Sequence, residues 1–245
     1  MSAGLGTPRL HLRSIDSTNE RARALARAGA PHGTLVTAEH QSAGRGRQGR
    51  TWSAPPGRAL LMSLVLRDLR TLLPLAAAVA VADVVGPQAA IKWPNDVLLN
   101  TGKVAGILVE GRPQEGWAMI GIGLNVAVRP DDLPPQLRDG AATLGLQPDA
   151  LAPTLDALLV ALERRLSQRP AALLDAFRAR DGLVGREIRW QRGCGVAAGI
   201  DDRGRLLVDC HDGRRVALDA GEVHLAAAAL EDPPGTLTQH LRKDH

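Results

Sequence analysis

Apolar residues along this chain recur with two periods, and each period predicts a different kind of element. Helical spacing predicts helices over residues 21–28, 72–85, 153–167 and 170–180. Short apolar or alternating runs predict strands at 34–38, 59–66, 89–93, 97–100, 104–110 and 117–128, and the proline-rich stretch 130–140 predicts a loop. Ser17 is a candidate N-cap for the first helix, with Glu20 placed as in a capping box and Gly29 suited to the helix end.

The pattern changes after Gly185. Five short strands follow at roughly ten-residue spacing, at 187–190, 195–200, 206–209, 215–218 and 223–225. They predict a small antiparallel barrel near the lower size limit for independent folding. We therefore predict an α+β chain: a larger domain of mixed β-sheet and flanking helices (1–183), the barrel (184–230) and a disordered, proline-containing tail (231–245).

Composition narrows the classes of partner. The 245 residues carry a net charge of +4 that is almost all arginine, since lysine occurs only at Lys92, Lys103 and Lys243. One phenylalanine and no tyrosine leave no aromatic platform for stacked bases, which argues against a nucleic-acid partner. No apolar run is long enough for a membrane span, and the N-terminus does not resemble a secretory signal. Cys194 and Cys210 have no metal-binding spacing and predict no disulfide, which indicates the reducing cytoplasm.

The segment 41–52, called the arginine loop below, is the most informative part of the chain. It places Arg45, Arg47 and Arg50 among three glycines and ends at Trp52. Glycine lets the backbone approach a ligand closely, and arginine supplies a permanently charged, forked donor for carboxylates and phosphates. The loop therefore predicts a site for a small anionic substrate.

Residues 44–49 also match the dinucleotide fingerprint G-x-G-x-x-G, with Asp68 near the expected distance beyond it. That fingerprint requires glycines that open a helix packed on a strand. Two prolines and a glycine at 55–57 cannot continue a helix, so dinucleotide binding is disfavoured.

Four other segments carry residues suited to ligand binding: Ser17–Asn19, Lys92–Asp96, Gly102–Glu110 and Gly121–Asn125. Each also has a plain structural interpretation: an N-cap, a Pro-Asn-Asp turn, a solvated strand-end lysine at Lys103 and a β-bulge, respectively. Glycine inside an apolar strand also marks close approach of a ligand or another backbone. The order and joint presence of the segments favour a binding site.

Together with the arginine loop, these segments resemble the biotin–protein ligases, also called holocarboxylase synthetases. The resemblance rests on Ser17–Asn19, Gly44–Arg50 with Trp52, Lys92–Asp96, Gly102–Ile107 and Gly121–Asn125, and it extends to Gly221–His224 in the barrel. It implies a class II synthetase-like catalytic domain followed by an SH3-like barrel. Because only about fifteen residues precede Ser17, too few for a helix-turn-helix, the chain is similar to the monofunctional members without a DNA-binding domain.

The resemblance implies that biotin and ATP, with Mg²⁺, form biotinyl-5′-AMP and pyrophosphate. The biotin then passes to one lysine of the biotin carboxyl carrier domain of an acyl-CoA carboxylase. Members are monomers or homodimers, and the resemblance implies no protein side chain as a metal ligand. No covalent enzyme intermediate is needed, which agrees with the absence of a nucleophile–base pair from the motifs.

Site residues follow from the family pattern position by position. Biotin would contact Ser17, Thr18, Asn19, Gln41, Gly44, Arg45, Gly46, Arg47, Lys103, Gly121 and Gly123. ATP or the adenylate would contact Arg47, Arg50, Trp52, Lys92, Asn95, Lys103 and Asn125. Arg47 and Lys103 would stabilise developing charge, and Asp96 would orient the acceptor amine and help to remove its proton.

Two other functions stay open at this point. A lipoate or octanoate transferase shares a strand-end lysine, but it does not carry the arginine loop together with Lys92–Asp96. A non-catalytic biotin-binding regulator could dispense with Arg47, Asp96 and Lys103, and all three are present.

Overall fold

The computed structural model describes residues 4–67, 69, 72–219 and 223–225. Its strands are β1 (Arg9–Ile15), β2 (Leu35–Gln41), β3 (Ala59–Leu66), β4 (Ala89–Lys92), β5 (Asp96–Leu99), β6 (Gly102–Arg112), β7 (Trp117–Asn125), β8 (Glu187–Trp190), β9 (Gly193–Ile200), β10 (Leu206–Cys210), β11 (Arg215–Leu218) and β12 (His224–Leu225). Its helices are α1 (Thr18–Arg27), α2 (Leu73–Val85), α3 (Pro135–Arg138), α4 (Leu151–Leu166) and α5 (Pro170–Arg178). None of the helices within these residues is long and apolar enough to cross a membrane.

Strands β1 to β7 form one mixed sheet in the order β1-β2-β3-β7-β6-β5-β4. β1 and β2 run parallel, whereas every other neighbouring pair is antiparallel. The central strands β3 and β7 are buried along their whole length. Helix α2, backed by α4 and α5, covers one face of this sheet, and α1 covers the other. The fold is therefore α+β, as the sequence predicts.

Alternation along β7 decides which side chains reach which face of the sheet. The even-numbered residues from 118 to 124 pack in the main core beneath α2. Trp117 and Met119 pack against the α1 side. By the same alternation Gly121 and Gly123 lie on the α1 side, where a strip of sheet carries no side chains.

Strands β8 to β12 form a second, antiparallel sheet in the order β11-β10-β9-β8-β12, called the C-terminal sheet below. Turns at 202–204 and 211–213 connect β9 to β10 and β10 to β11, and Gly204 and Gly213 take positive φ values of 76° and 82° there. Buried side chains of this sheet belong to the same hydrophobic cluster as the main core: Ile188, Ala197, Ile200, Leu206 and Val208. The predicted domain boundary at 183/184 falls between α5 and β8 and stays a prediction.

Several sequence predictions need correction. Strand β1 was not predicted, because its arginines and histidine leave most of its side chains exposed and hide the strand pattern. Helix α1 begins at Thr18 rather than at residue 21, and no capping box forms. The Glu20 carboxylate pairs with Arg23 and Arg45, which are stronger, charged partners than a backbone amide. The predicted loop 130–140 contains the short helix α3. Asp68, Gly221 and the predicted tail 231–245 lie outside the described residues.

Asp83 on α2 ties α4 and the segment after α5 to that helix. Its carboxylate accepts hydrogen bonds from Arg164, Arg165 and Arg180 at 2.8, 2.7 and 3.3 Å. Burial alone would raise the pKa of Asp83, but the hydrogen bonds and charges of Arg165 and Arg164 outweigh burial and lower the pKa below its usual value.

We expect Asp83→Asn to lower the free energy of unfolding by roughly 2 kcal/mol near neutral pH, because the arginines lose a charged partner. Since the folded pKa is depressed, this stabilisation is present above the unfolded pKa of about 3.9 and is lost as the pH falls through the folded value. Urea unfolding of both proteins near neutral pH and near pH 3 measures the difference, which should shrink in acid. An equal difference under both conditions would contradict an ion-pair origin.

Candidate active site

A cleft of about 860 Å³, measured out to its open mouth, lies between the arginine loop, the start of α1 and strands β5 to β7. The predicted site residues that line it are Ser17, Thr18, Asn19, Gln41, Arg45, Gly46, Arg47, Arg50, Trp52, Lys92, Asn95, Asp96, Lys103, Gly121 and Gly123. Gly44 and Asn125 are the predicted site residues that do not line it. Five segments that are distant in the sequence therefore meet at one cleft.

The start of α1 provides buried, uncharged polar groups at one end of the cleft. The amide and hydroxyl of Thr18 both donate hydrogen bonds to Gln41 Oε1, at 2.7 and 2.9 Å. Ser63 Oγ on β3 lies 2.8 Å from Thr18 Oγ1 and 2.5 Å from Asn19 Oδ1. The Ser17 hydroxyl is buried and has no hydrogen-bond partner among the described residues. Sequence analysis missed Ser63, although a lone polar residue in an otherwise apolar, fully buried strand points to such a role.

The arginine loop folds back on itself next to these polar groups. The Gly46 amide donates to the Arg50 carbonyl at 2.7 Å, and the Trp52 amide donates to the Gly44 carbonyl at 2.9 Å. A side chain at Gly44 would overlap the Trp52 carbonyl, so the loop closes tightly only with glycine there. The stretch ends in a short 3₁₀ turn at Arg47–Gly49 and opens no α-helix, which excludes the dinucleotide-binding geometry.

Arg47 reaches from the loop to the turn between β4 and β5. One of its guanidinium nitrogens donates to Asn95 Oδ1 at 2.7 Å. Asn95 is itself fixed to β6, because its side-chain amide donates to the Ile107 carbonyl at 3.0 Å and its carbonyl accepts from the Ile107 amide at 2.9 Å. The turn thus holds the guanidinium in place, and Asn95 has this structural task beside the ligand contact predicted for it.

Lys103 and Asp96 form an ion pair at the base of the cleft. Lys103 Nζ lies 2.8 Å from Asp96 Oδ1, in an ion contact rather than a well-aligned hydrogen bond. The Asp96 side chain is only 15% exposed, whereas Lys103 is 35% exposed. Nζ also lies 5.6 Å from the centroid of the Trp52 ring, within cation–π range. The predicted base and the predicted charge stabiliser are therefore direct neighbours.

Three glycines allow side chains to pack directly on the sheet. A Cβ at Gly121 would overlap the Asn19 amide group, and one at Gly123 would overlap the Trp52 indole. A Cβ at Gly106 would lie 3.0 Å from the same indole, too close for ordinary contact. The ligand contact predicted for Gly121 and Gly123 stays a prediction. Here their missing side chains make room for Asn19 and Trp52.

A chain of charges that sequence analysis missed connects α1 to the arginine loop. Glu110 Oε2 accepts from Asn19 Nδ2 at 3.2 Å, and its other oxygen pairs with Arg23. Arg23 also donates to Glu20 at 2.8 Å, and Glu20 pairs with Arg45 at 2.5 Å. The clue in the sequence is Glu110, a carboxylate that ends the apolar run of β6 on the side facing α1.

Positive charge dominates the cleft. Among the described residues that line it, the cationic side chains are Arg45, Arg47, Arg50, Lys92 and Lys103, and Asp96 is the one carboxylate. This balance suits an anionic ligand, while the neutral amides and hydroxyls near α1 suit an uncharged polar one.

Asn125 lies at the end of β7, away from the cleft wall. It is 4% exposed, and its side-chain amide donates to the Ala142 carbonyl at 2.9 Å. Its Oδ1 is buried without a hydrogen-bond partner among the described residues. The predicted nucleotide contact of Asn125 stays a prediction.

Comparison with known proteins finds two family matches and several similar sequences. The Biotin/lipoate A/B protein ligase family matches residues 11–127, and the Biotin protein ligase C terminal domain matches residues 185–225. The biotin–[acetyl-CoA-carboxylase] ligase of Mycobacterium tuberculosis is 37% identical over 234 residues, which cover 84% of this chain and 85% of that protein. The protein of the same name from Paracoccus denitrificans is 38% identical and covers 86% and 98% of the two chains.

Solved structures give the same result for the fold. The biotin protein ligase of Aquifex aeolicus in complex with biotin and ATP superposes with a TM-score of 0.76 at 25% identity. The match covers 89% of this chain and 98% of that one, so it includes both sheets.

We expect Glu20→Gln to loosen the arginine loop, because Arg45 loses the ion pair that anchors it to α1. A partly exposed pair contributes about 0.2–1 kcal/mol, so trypsin should cleave after Arg45, Arg47 or Arg50 about two- to fivefold faster. Glu187→Gln makes the same change of charge at an exposed pair with His211 on the C-terminal sheet and is the matched control. High salt should bring wild type and Glu20→Gln together, because it screens the pair. Equal cleavage of all three proteins at low salt would show that Glu20 does not restrain the loop.

Proposed function

This chain belongs to the biotin protein ligases, within the biotin/lipoate A/B protein ligase family, and we propose that it attaches biotin to a carrier protein in two steps. In the first step biotin and ATP form biotinyl-5′-AMP and pyrophosphate. In the second step the biotinyl group passes to one lysine of a biotin carboxyl carrier domain, and AMP leaves. The acceptor domain belongs to an acyl-CoA carboxylase, as the names of the relatives suggest for those proteins.

One observation carries this proposal: the cleft is neutral and polar at one end and cationic at the other. Biotin has the same polarity, with an uncharged ureido ring and a carboxylate at the end of its chain. The groups around Thr18 and Gln41 suit the ring, because they offer hydroxyl and amide groups without charge. Arg47 and Lys103 suit the carboxylate and the α-phosphate that must meet it.

The first step has to overcome repulsion between two anions. The biotin carboxylate attacks the α-phosphorus of ATP, and the bond to pyrophosphate breaks. Negative charge grows on the α-phosphoryl oxygens and on the leaving group, so fixed cations that need no rearrangement lower the barrier. Arg47 meets this requirement because Asn95 already holds its guanidinium.

The second step needs a neutral amine. The acceptor lysine must lose a proton before or as its nitrogen attacks the biotinyl carbonyl, and the bond to AMP then breaks. Asp96 is the carboxylate that lines the cleft among the described residues, and we assign it to orient the amine and accept the proton. Its contact with Lys103 holds the carboxylate in place within the cleft.

Mg²⁺ accompanies the nucleotide in this proposal, where it would neutralise part of the phosphate charge. Asp96 is the one carboxylate among the described residues that line the cleft and could contact Mg²⁺. It already pairs with Lys103. No group of three or more histidine, cysteine, aspartate or glutamate side chains is arranged for a metal within the described residues. We assign the ion to the phosphates of ATP, because Mg²⁺ keeps several of its water ligands and is usually held by substrate phosphates with one or two carboxylates. We place the reaction in the cytoplasm, where thiols such as those of Cys194 and Cys210 stay reduced.

Exchange of labelled pyrophosphate into ATP tests the proposed function. It should occur only with biotin, because the first step is reversible and needs no acceptor protein. Lipoate and octanoate serve as the competing substrates, since the family includes lipoate ligases. Exchange with lipoate alone would make this chain a lipoate ligase, and no exchange with any acid would leave a non-catalytic binding protein.

Arg47→Ala should lower the rate of biotin-dependent pyrophosphate exchange by about 10²- to 10³-fold, because a fixed donor to the developing charge is removed. Arg13→Ala, at an exposed arginine on β1, removes the same charge away from the cleft and should leave the rate unchanged. A loss of tenfold or less in Arg47→Ala would show that this residue is not central to the first step.

Lys103→Arg should fail although it keeps the charge. The ammonium sits between Asp96 and the bare backbone at Gly106, where a Cβ would lie only 3.1 Å from Nζ, so a planar guanidinium has no room. We expect at least a tenfold loss of exchange activity, similar to that of Lys103→Gln. Near-normal activity in Lys103→Arg would mean that charge alone matters at this position.

A further inference from the structure

The C-terminal sheet touches the first sheet through the turn between β9 and β10. Gly204 in that turn has a φ of 76°, and a Cβ there would lie 2.7 Å from the side chains of both Leu72 and Leu75. Leu75 belongs to helix α2 and Leu72 immediately precedes that helix. The turn is thus inserted into the larger part of the chain in a space that only glycine fits.

Several side-chain hydrogen bonds hold the turn. Asp201 Oδ1 accepts hydrogen bonds from the amides of Arg203 and Arg205, each at 2.9 Å, and Oδ2 accepts from the Arg205 guanidinium at 2.7 Å. Arg178 on α5 clamps the same turn from outside by donating to Asp202 at 2.8 Å. These hydrogen bonds fix the conformation of the turn, so that it holds the residues it contacts in place.

Trp93 contacts the other side of the turn between β9 and β10. Its indole Nε1 donates to the Gly204 carbonyl at 2.9 Å, and the residue is only 2% exposed. Trp93 lines the cleft together with Asn95 and Asp96, which follow it in the same turn. Trp93 therefore contacts the C-terminal sheet through its side chain. Its backbone leads directly into Asn95, the predicted nucleotide contact, and Asp96, the predicted proton acceptor.

Two further contacts join the same parts of the molecule. The segment that leads to the C-terminal sheet pairs with β4, because Ile91 donates to the Arg180 carbonyl at 2.7 Å and accepts from the Gly182 amide at 2.9 Å. Val223, beside β12, contributes to the wall of the cleft. The strand that leads into Trp93 is therefore held by the C-terminal part of the chain at more than one point.

We propose that Trp93 is a positioning residue through which the C-terminal sheet sets the place of Asn95 and Asp96. Trp93 touches no reacting atom in this role. Its hydrogen bond to Gly204 links the C-terminal sheet to the turn that carries Asn95 and Asp96. The inference rests on the proposed function for its effect on catalysis, but the coupling itself is a property of the fold.

Hydrogen exchange of the backbone tests the coupling without reference to activity. Trp93→Phe keeps an aromatic ring and removes the indole donor, so the amides of residues 95–99 should exchange several-fold faster. Trp117→Phe is the matched control, because Trp117 is 1% exposed and its indole donates a 2.8 Å hydrogen bond to Glu115 in the turn that precedes β7. It should leave residues 95–99 unchanged. Unchanged exchange of 95–99 in Trp93→Phe would overturn the inference.

Kinetics of pyrophosphate exchange then separate positioning from general stability. In Trp93→Phe, kcat/KM for ATP should fall by about tenfold, the effect of losing one hydrogen bond that holds the site, whereas Trp117→Phe should stay within about twofold of wild type. An equal kinetic effect of the two substitutions would reduce Trp93 to a stability residue. If wild type itself shows no exchange, the proposed function fails, and the hydrogen-exchange result still decides the coupling.

Gly204→Ala approaches the same contact from the C-terminal sheet. Its Cβ forces the turn away from α2 and hence from Trp93, so both readouts should change as they do in Trp93→Phe. The double variant should be little worse than either single one, because both remove one interaction. Fully additive effects would show that Gly204 and Trp93 act independently and would contradict the proposal.

Discussion

Close approach of side chains to the bare backbone of β6 and β7 is the constraint on which the site depends. Side chains on the α1 side of these strands are missing at Gly106, Gly121 and Gly123, and Asn19 and Trp52 fill the space that they leave. Because Trp52 closes the arginine loop and Asn19 opens α1, the glycines bring both segments down onto the sheet. Larger residues would lift the loop and the helix together, and the cleft would lose its floor and one wall.

The second constraint is repulsion among the cations that line the cleft. Three of them have partners in the structure: Arg47 contacts the neutral amide of Asn95, whereas Lys103 pairs with Asp96 and Arg45 pairs with Glu20. The carboxylates offset part of the charge of Lys103 and Arg45 and so reduce the repulsion.

Local patterns in the sequence predicted most of the elements and most of the residues that meet at the cleft. The apolar runs of β3 and α2 are visible without tertiary information, because elements that are buried on all sides have nearly unbroken apolar stretches. The misses have a common cause. Strand β1, Ser63 and the link from Glu110 through Arg23 to Glu20 depend on partners far away in the sequence, and no local period encodes those partners. Glu20 resembled half of a capping box because its neighbours in sequence fit that motif, yet its partners in space outcompete the backbone.

The division of the chain into two sheets is less complete than the sequence suggests. A small sheet of five short strands, near the lower size limit for independent folding, gains stability by sharing a core with its neighbour, and here the cores form one cluster. Once the two sheets share a core, any polar group at their boundary must find its partner across that boundary, since water is excluded. The Trp93 indole is such a group, and it finds the Gly204 carbonyl. This hydrogen bond therefore also fixes a position in the site. The turn that carries Asn95 and Asp96 cannot move far without leaving the buried indole N–H of Trp93 unpaired.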